Sequence, residues 1–233
     1  MPLAANLARI REQMAAACRR AGRSEGEVAL MAVTKTHPAA TVLEAHAAGL
    51  RLFGENRVQE WQQKSVALAN LSGVAVHLIG PLQSNKTARA AEIFHAIDAV
   101  DSLKIATRLD AAARALGKRL PILVEVKLSR EISKHGVAPA ELPGLLAGLA
   151  SLEGLLPSGL MTVPPWSEDP EAARPYFRTL RSLRDRSLAV CPTLAQLSMG
   201  MSNDFAVAIE EGSTCIRIGT ALFGLRQSPA GMS

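Results

Sequence analysis

Residues 28–35 read VALMAVTK, an apolar run of strand character that ends on a lysine, after which Thr36 and Pro38 open a helix. An amine at the carboxyl end of a buried strand is partly desolvated, and such amines are recruited as imine-forming nucleophiles. Seven further runs of the same kind follow: LRLFG, AVHLIG, IFHAIDAV, LPILVEVKL, EGLLPSGLM, LAQLSMG and TCIRIGT. Helical stretches separate them, with punctuating residues such as Asn56 before VQEWQQKSVAL, Asp101 or Ser102 before LKIATRLDAAARALG, and Ser202 before NDFAVAIEEG. Alternation of strand and helix predicts a parallel sheet, and eight units with no spare edge strand favour closure. The expected fold is α/β: a single TIM-type (β/α)8 barrel over residues 1–233 with an extra N-terminal helix. That helix is read from Leu3, Leu7, Ile10, Met14 and Cys18, which recur at helical spacing before GRSEGE ends it.

The chain has 233 residues, a length that suits one barrel domain of about 200 to 250 residues. Its formal net charge of +5 fits an anionic ligand as well as it fits nucleic acid. Arg178, Arg181 and Arg184 read as a solvated helical stripe, and the few aromatics offer little for base stacking, so no nucleic-acid role is expected. Three widely separated cysteines, Cys18, Cys191 and Cys215, fit a reducing compartment and buried thiols. No signal-like apolar block opens the chain, and LPGLLAGLASLEGLLPSGLM is interrupted before about 18 apolar residues accumulate. The expectation is a cytoplasmic protein without a membrane span.

The polar and glycine-rich residues gather at the carboxyl ends of the runs. In barrels of this type that face carries the active site, and loops after strands seven and eight often hold a phosphate. LSMGMSND offers small residues, then Ser202 at a helix start whose amides and dipole attract an anion; IGT adds the close-approach amides of Gly219 and Thr220. Alternation in CIRIGT sets Cys215, Arg217 and Gly219 on one face. Arg217 then points into the barrel mouth, where it needs an acceptor: a buried acid such as Glu125, a ligand, or both. An amine at Lys35, a phosphate cradle and an arginine donor outline one cofactor, pyridoxal 5'-phosphate, held as a Schiff base on Lys35.

The motifs AVTK, FGENRVQE, HLIGPLQSNK, SKHG, GLM and LSMGMSNDFAVAIEEGSTCIRIGTALFG resemble those of the pyridoxal-phosphate-binding homeostasis protein family. The resemblance covers about Ala29 to Gly224, and its long last block is the most specific part. It implies a fold similar to the N-terminal barrel of alanine racemase and a cofactor bound to Lys35. It also implies that Arg217 faces the ring nitrogen, that Ser202, Gly219 and Thr220 hold the phosphate, and that Asn56 lies beside the cofactor. The implied role is vitamin B6 homeostasis, acting indirectly on amino-acid and keto-acid balance; apo forms of pyridoxal-phosphate enzymes as receivers and a monomeric state are separate expectations.

Arginine only donates, so a ring nitrogen facing it stays largely unprotonated and the ring is a weaker electron sink. That argues against transamination and decarboxylation but not racemization, which needs a second base. The single tyrosine, Tyr176, falls in the helix after strand six, and His37, His77 or a residue from another subunit are the other candidates. Binding without fast catalysis is therefore the main reading. An amino-acid racemase of alanine racemase type is one alternative. A class I aldolase-like enzyme, which explains Lys35 and the cradle but not Arg217, is the other.

Overall fold

The computed structural model describes residues 2–69, 71–129 and 135–224; Ser133 and Lys134 of the SKHG motif lie outside them. A helix, α1 (Leu3–Arg20), comes first, and then strands and helices alternate. They run β1 (Ala29–Val33), α2 (Ala39–Ala47), β2 (Leu52–Glu55), α3 (Val58–Ala67), β3 (Ala75–Leu78) and α4 (Thr87–Ile93). The second half is β4 (Ala96–Val100), α5 (Leu103–Ala115), β5 (Leu120–Glu125), α6 (Leu142–Leu149), β6 (Leu155–Met161) and α7 (Arg174–Ser187). It closes with β7 (Gln196–Ser198), α8 (Phe205–Glu210), β8 (Cys215–Ile218) and α9 (Thr220–Phe223). All eight expected strands are present in a closed parallel barrel in chain order. β1 seals the cylinder by pairing with β8, Ala29 opposite Cys215 and Met31 opposite Arg217.

Strand alternation divides the interior in two. Ala32, Phe53, Val76, Leu78, Ile97, Ile122, Leu160 and Ile216 belong to the large apolar shell, which also takes in helix residues such as Ile10, Leu109 and Phe177. Burying each such side chain contributes about 1.5–3 kcal/mol, so this shell carries most of the fold. Inside the barrel Ala99, Leu123 and Met161 form a small separate cluster. The other buried residues on these inner faces include Asp98, Glu125, Ser198 and Arg217. The inner column is thus narrow and polar toward its carboxyl end.

α1 packs across the last helices rather than hanging free: Asn6 Nδ2 donates to Leu222 O at 2.9 Å, and just beyond the helix Arg23 Nη1 reaches Ile209 O and Ser213 O at 2.9 and 2.8 Å. Cys18 and Cys215 are buried, whereas Cys191 is half-buried. The arginine stripe on α7 is only partly solvated. Arg178 pairs with Glu211, while Arg184, 18% exposed, bonds Asp185 and the carbonyl of Ala195. Among the described residues no helix is long and apolar enough to cross a membrane.

Candidate functional site

Lys35 sits two residues beyond β1, in a tight turn. Thr34 extends the sheet by one bond, its amide donating to Gly54 O at 3.1 Å, and His37 N closes the turn onto Thr34 O at 3.0 Å. Thr36 adopts φ 64°, a left-handed conformation that costs a β-branched residue about 1–3 kcal/mol unless its surroundings hold it. They do. The Thr36 amide donates to Glu60 Oε1, and Lys64 Nζ donates to Glu60 Oε1, Glu55 Oε1 and Thr34 O at 2.7, 2.9 and 2.8 Å. Thr34 Oγ1 adds a 2.6 Å bond to Glu55 Oε1. Glu60 and Lys64 lie one turn apart on α3, so the helix after β2 presents an acid and an amine together to the neighbouring turn. Burial pushes the Glu55 carboxyl up, against the pull of Lys64 and Thr34, and its Oε2 has no hydrogen-bond partner among the described residues.

This brace was not foreseen from the sequence. The available signal was the four-residue spacing of Glu60 and Lys64 directly after FGEN.

Two turns share the carboxyl rim with Lys35, one after β8, the strand that pairs with β1, and one after β7 beside it. After β7, Gly200 takes φ +96°, and a Cβ there would stand 2.5 Å from the Ala208 Cβ, so the chain can turn this tightly only with glycine. Met201–Asp204 then form a turn in which Met201 O accepts from Asp204 N and Phe205 N at 3.2 and 2.9 Å. The expected helix start at Ser202 is corrected: α8 begins at Phe205, and Asp204 Oδ1 reaches back to the Met201 amide at 2.6 Å. Ser202 Oγ is used differently, accepting from Ala221 N at 3.1 Å and so tying the turn after β7 to the turn after β8. Asn56 likewise precedes the α3 cap, which is Arg57. In the paired turns the amides of Ser202, Asn203, Gly219 and Thr220 have no acceptor among the described residues. Adjacent unpaired amides of this kind make an anion-binding concavity.

Arg217, 4% exposed, is anchored by Nη1 to Ser198 Oγ at 2.7 Å and by Nη2 to Thr162 O at 2.8 Å. Burial works to lower its pKa, opposed by nearby acids that include Asp98, Glu125 and Asp204. The acid named as its candidate partner, Glu125, interacts with it through charge alone and makes no hydrogen bond to it. Burial, only partly offset by Arg217, raises the Glu125 carboxyl to about 7.

Lys35, Asn56, Ser202, Arg217, Gly219 and Thr220 all line one cavity of about 860 Å³, within the range of small-ligand sites. The three candidate second bases from this chain lie elsewhere: Tyr176 is on α7, His77 Nδ1 pairs with Asp98 Oδ1 at 3.0 Å, and the His37 ring lies tilted against Phe223 at 5.0 Å between ring centroids. None of the three lines the cavity. Trp166, 75% exposed, stands on its rim and was also not foreseen.

The alanine racemase N-terminal domain model matches residues 5–227. The chain is 46% identical over 225 residues to a pyridoxal phosphate homeostasis protein of Pseudomonas aeruginosa, covering 96% of each. It is 44% identical over 233 residues to the protein of that name from Escherichia coli K12, covering 96% of this chain and 97% of the other. The structure of PipY from Synechococcus elongatus with pyridoxal phosphate bound has a TM-score of 0.86 at 40% identity, covering 96% of this chain and 100% of that one. An alanine racemase of Clostridium difficile shares the fold, with a TM-score of 0.75 at 15% identity, covering 97% of this chain but 57% of its own. Fold, motifs and identity agree: the chain belongs to the alanine racemase N-terminal domain family, among the pyridoxal phosphate homeostasis proteins.

Proposed function

We propose that the protein binds pyridoxal 5'-phosphate in this cavity and serves vitamin B6 homeostasis, carrying the cofactor on Lys35 without fast turnover. One observation carries the reading: the turn bearing the Lys35 amine and two tied turns with four unpaired amides open onto the same cavity. The cofactor supplies an aldehyde with which an amine condenses, releasing water. The residues present suit it. Ser202, Gly219 and Thr220 offer amides to a phosphate, Arg217 keeps N–H donors beyond the two already committed, and Asn56 adds a polar wall. Arg217 cannot accept a proton from a ring nitrogen or give one up, so it favours retention over electron-sink chemistry. A racemase reading needs a second base; the single tyrosine lies outside the cavity, and the titratable groups that do line it with Lys35 include Lys127 and His135.

In this reading the protein acts as a cytoplasmic monomer that passes its cofactor to apo-enzymes. The test is to load the protein, confirm a visible absorbance band, and mix it with an apo-enzyme. Recovery of that enzyme's activity with loss of the band is expected; a protein that never acquires a band refutes the function. Arg217→Glu is expected to shift the band to longer wavelength or weaken retention, because the ring nitrogen gains a proton. A spectrum and affinity equal to wild type remove Arg217 from the site.

A further inference from the structure

Glu125 ends β5 with its side chain on the cavity and is only 9% exposed. Yet its carboxyl makes no hydrogen bond or ion pair among the described residues. Neither of its oxygens is among the fully buried atoms left without a partner, so the carboxyl opens onto the cavity wall, where a ligand is placed to meet it. We propose that Glu125 is a further ligand-contacting residue of this cavity, one that meets the bound anion as a neutral acid and whose ionisation weakens retention. This rests on the cofactor reading of the cavity.

The charges around Glu125 decide the sign. Arg217 on β8 attracts its carboxylate, and Asp101, just after β4, opposes it. Lys35, Lys127, His135 and Asp204 also line the cavity, with Asp204 committed to the Met201 amide. Burial outweighs Arg217 and sets the carboxyl near 7. A bound phosphate brings further negative charge into the same low-dielectric space, which favours the protonated acid still more. By linkage, binding then takes up a proton at Glu125. The resulting contribution to affinity is full well below pH 7 and falls as pH rises through it. Lys35 and the cofactor phosphate titrate as well, so the isosteric Glu125→Gln variant is the needed reference.

The experiment measures the dissociation constant of pyridoxal 5'-phosphate for wild type and Glu125→Gln at pH 6 and pH 8.5. Equal affinities are expected at the lower pH. At the higher pH the variant is expected to bind about tenfold tighter, the equivalent of one pK unit of coupling. A wild-type to variant ratio that stays constant across pH overturns the proposal. Calorimetry at pH 7 in two buffers of different ionisation enthalpy is the second measurement: wild type should take up more protons on binding than the variant, and equal uptake contradicts the proposal. If neither protein binds at any pH, the cofactor reading itself fails, an outcome distinct from binding with a constant ratio.

Discussion

Lys64→Met is expected to destabilise the protein by about 3–5 kcal/mol, the usual cost of leaving a buried charge without its partner. Lys64 is 8% exposed and Glu55 is fully buried, so nothing replaces the ammonium when it is removed. The loss goes beyond one ion pair. Lys64 Nζ bonds Glu55, Glu60 and the carbonyl of Thr34, and Glu60 holds the amide of Thr36 in its left-handed conformation. Removing the amine therefore loosens the turn that carries Lys35. Urea unfolding should show the midpoint displaced at unchanged slope. Adding Glu55→Gln to Lys64→Met should recover part of the loss, since a neutral amide suffers less from burial than an unpaired carboxylate. A single-variant loss below about 1 kcal/mol, the scale of an exposed pair, would mean that the network does not brace the turn.

Lys35→Ala is expected to abolish covalent attachment of the cofactor while leaving weaker noncovalent binding. The two effects separate because the amine and the anion turns belong to different parts of the chain: Lys35 follows β1, whereas Ser202, Gly219 and Thr220 follow β7 and β8. The Ala221 to Ser202 bond that ties those turns does not involve Lys35. Equilibrium dialysis should still find bound cofactor, competed by inorganic phosphate, with the imine band gone. An unchanged band in this variant excludes Lys35 as the attachment point.

The barrel was legible in the sequence because parallel strands buried on both faces read as short apolar runs, and all eight runs became strands. Their ends were less legible. VALMAVTK suggested a strand ending on Lys35, but pairing stops after Thr34 because the chain must turn there with Thr36 at positive φ. Ser202 suits a helix start, but tertiary context decides otherwise: its hydroxyl is engaged by Ala221 and the helix begins after Asp204, whose side chain accepts from the Met201 amide instead of capping the helix. The six residues singled out for the site do converge on one cavity, since strand order and alternation fix which side chains share a rim. The brace was invisible for a different reason. A lysine on an amphipathic helix normally reads as solvated, and Lys64 is buried only because Glu55 and the Thr34 carbonyl approach it from neighbouring strands. Glu125 was recognised as a buried acid and matched to Arg217, but periodicity could not tell that Ser198 and Thr162 would occupy the guanidinium instead.

The central claim is that the amine of Lys35 and the amide cradle of Ser202, Gly219 and Thr220 together hold one pyridoxal 5'-phosphate. Borohydride reduction of the loaded protein followed by peptide mass mapping tests it most directly. The account predicts a phosphopyridoxyl adduct on the peptide containing Lys35; an adduct confined to another lysine, with Lys35 unmodified, would contradict it.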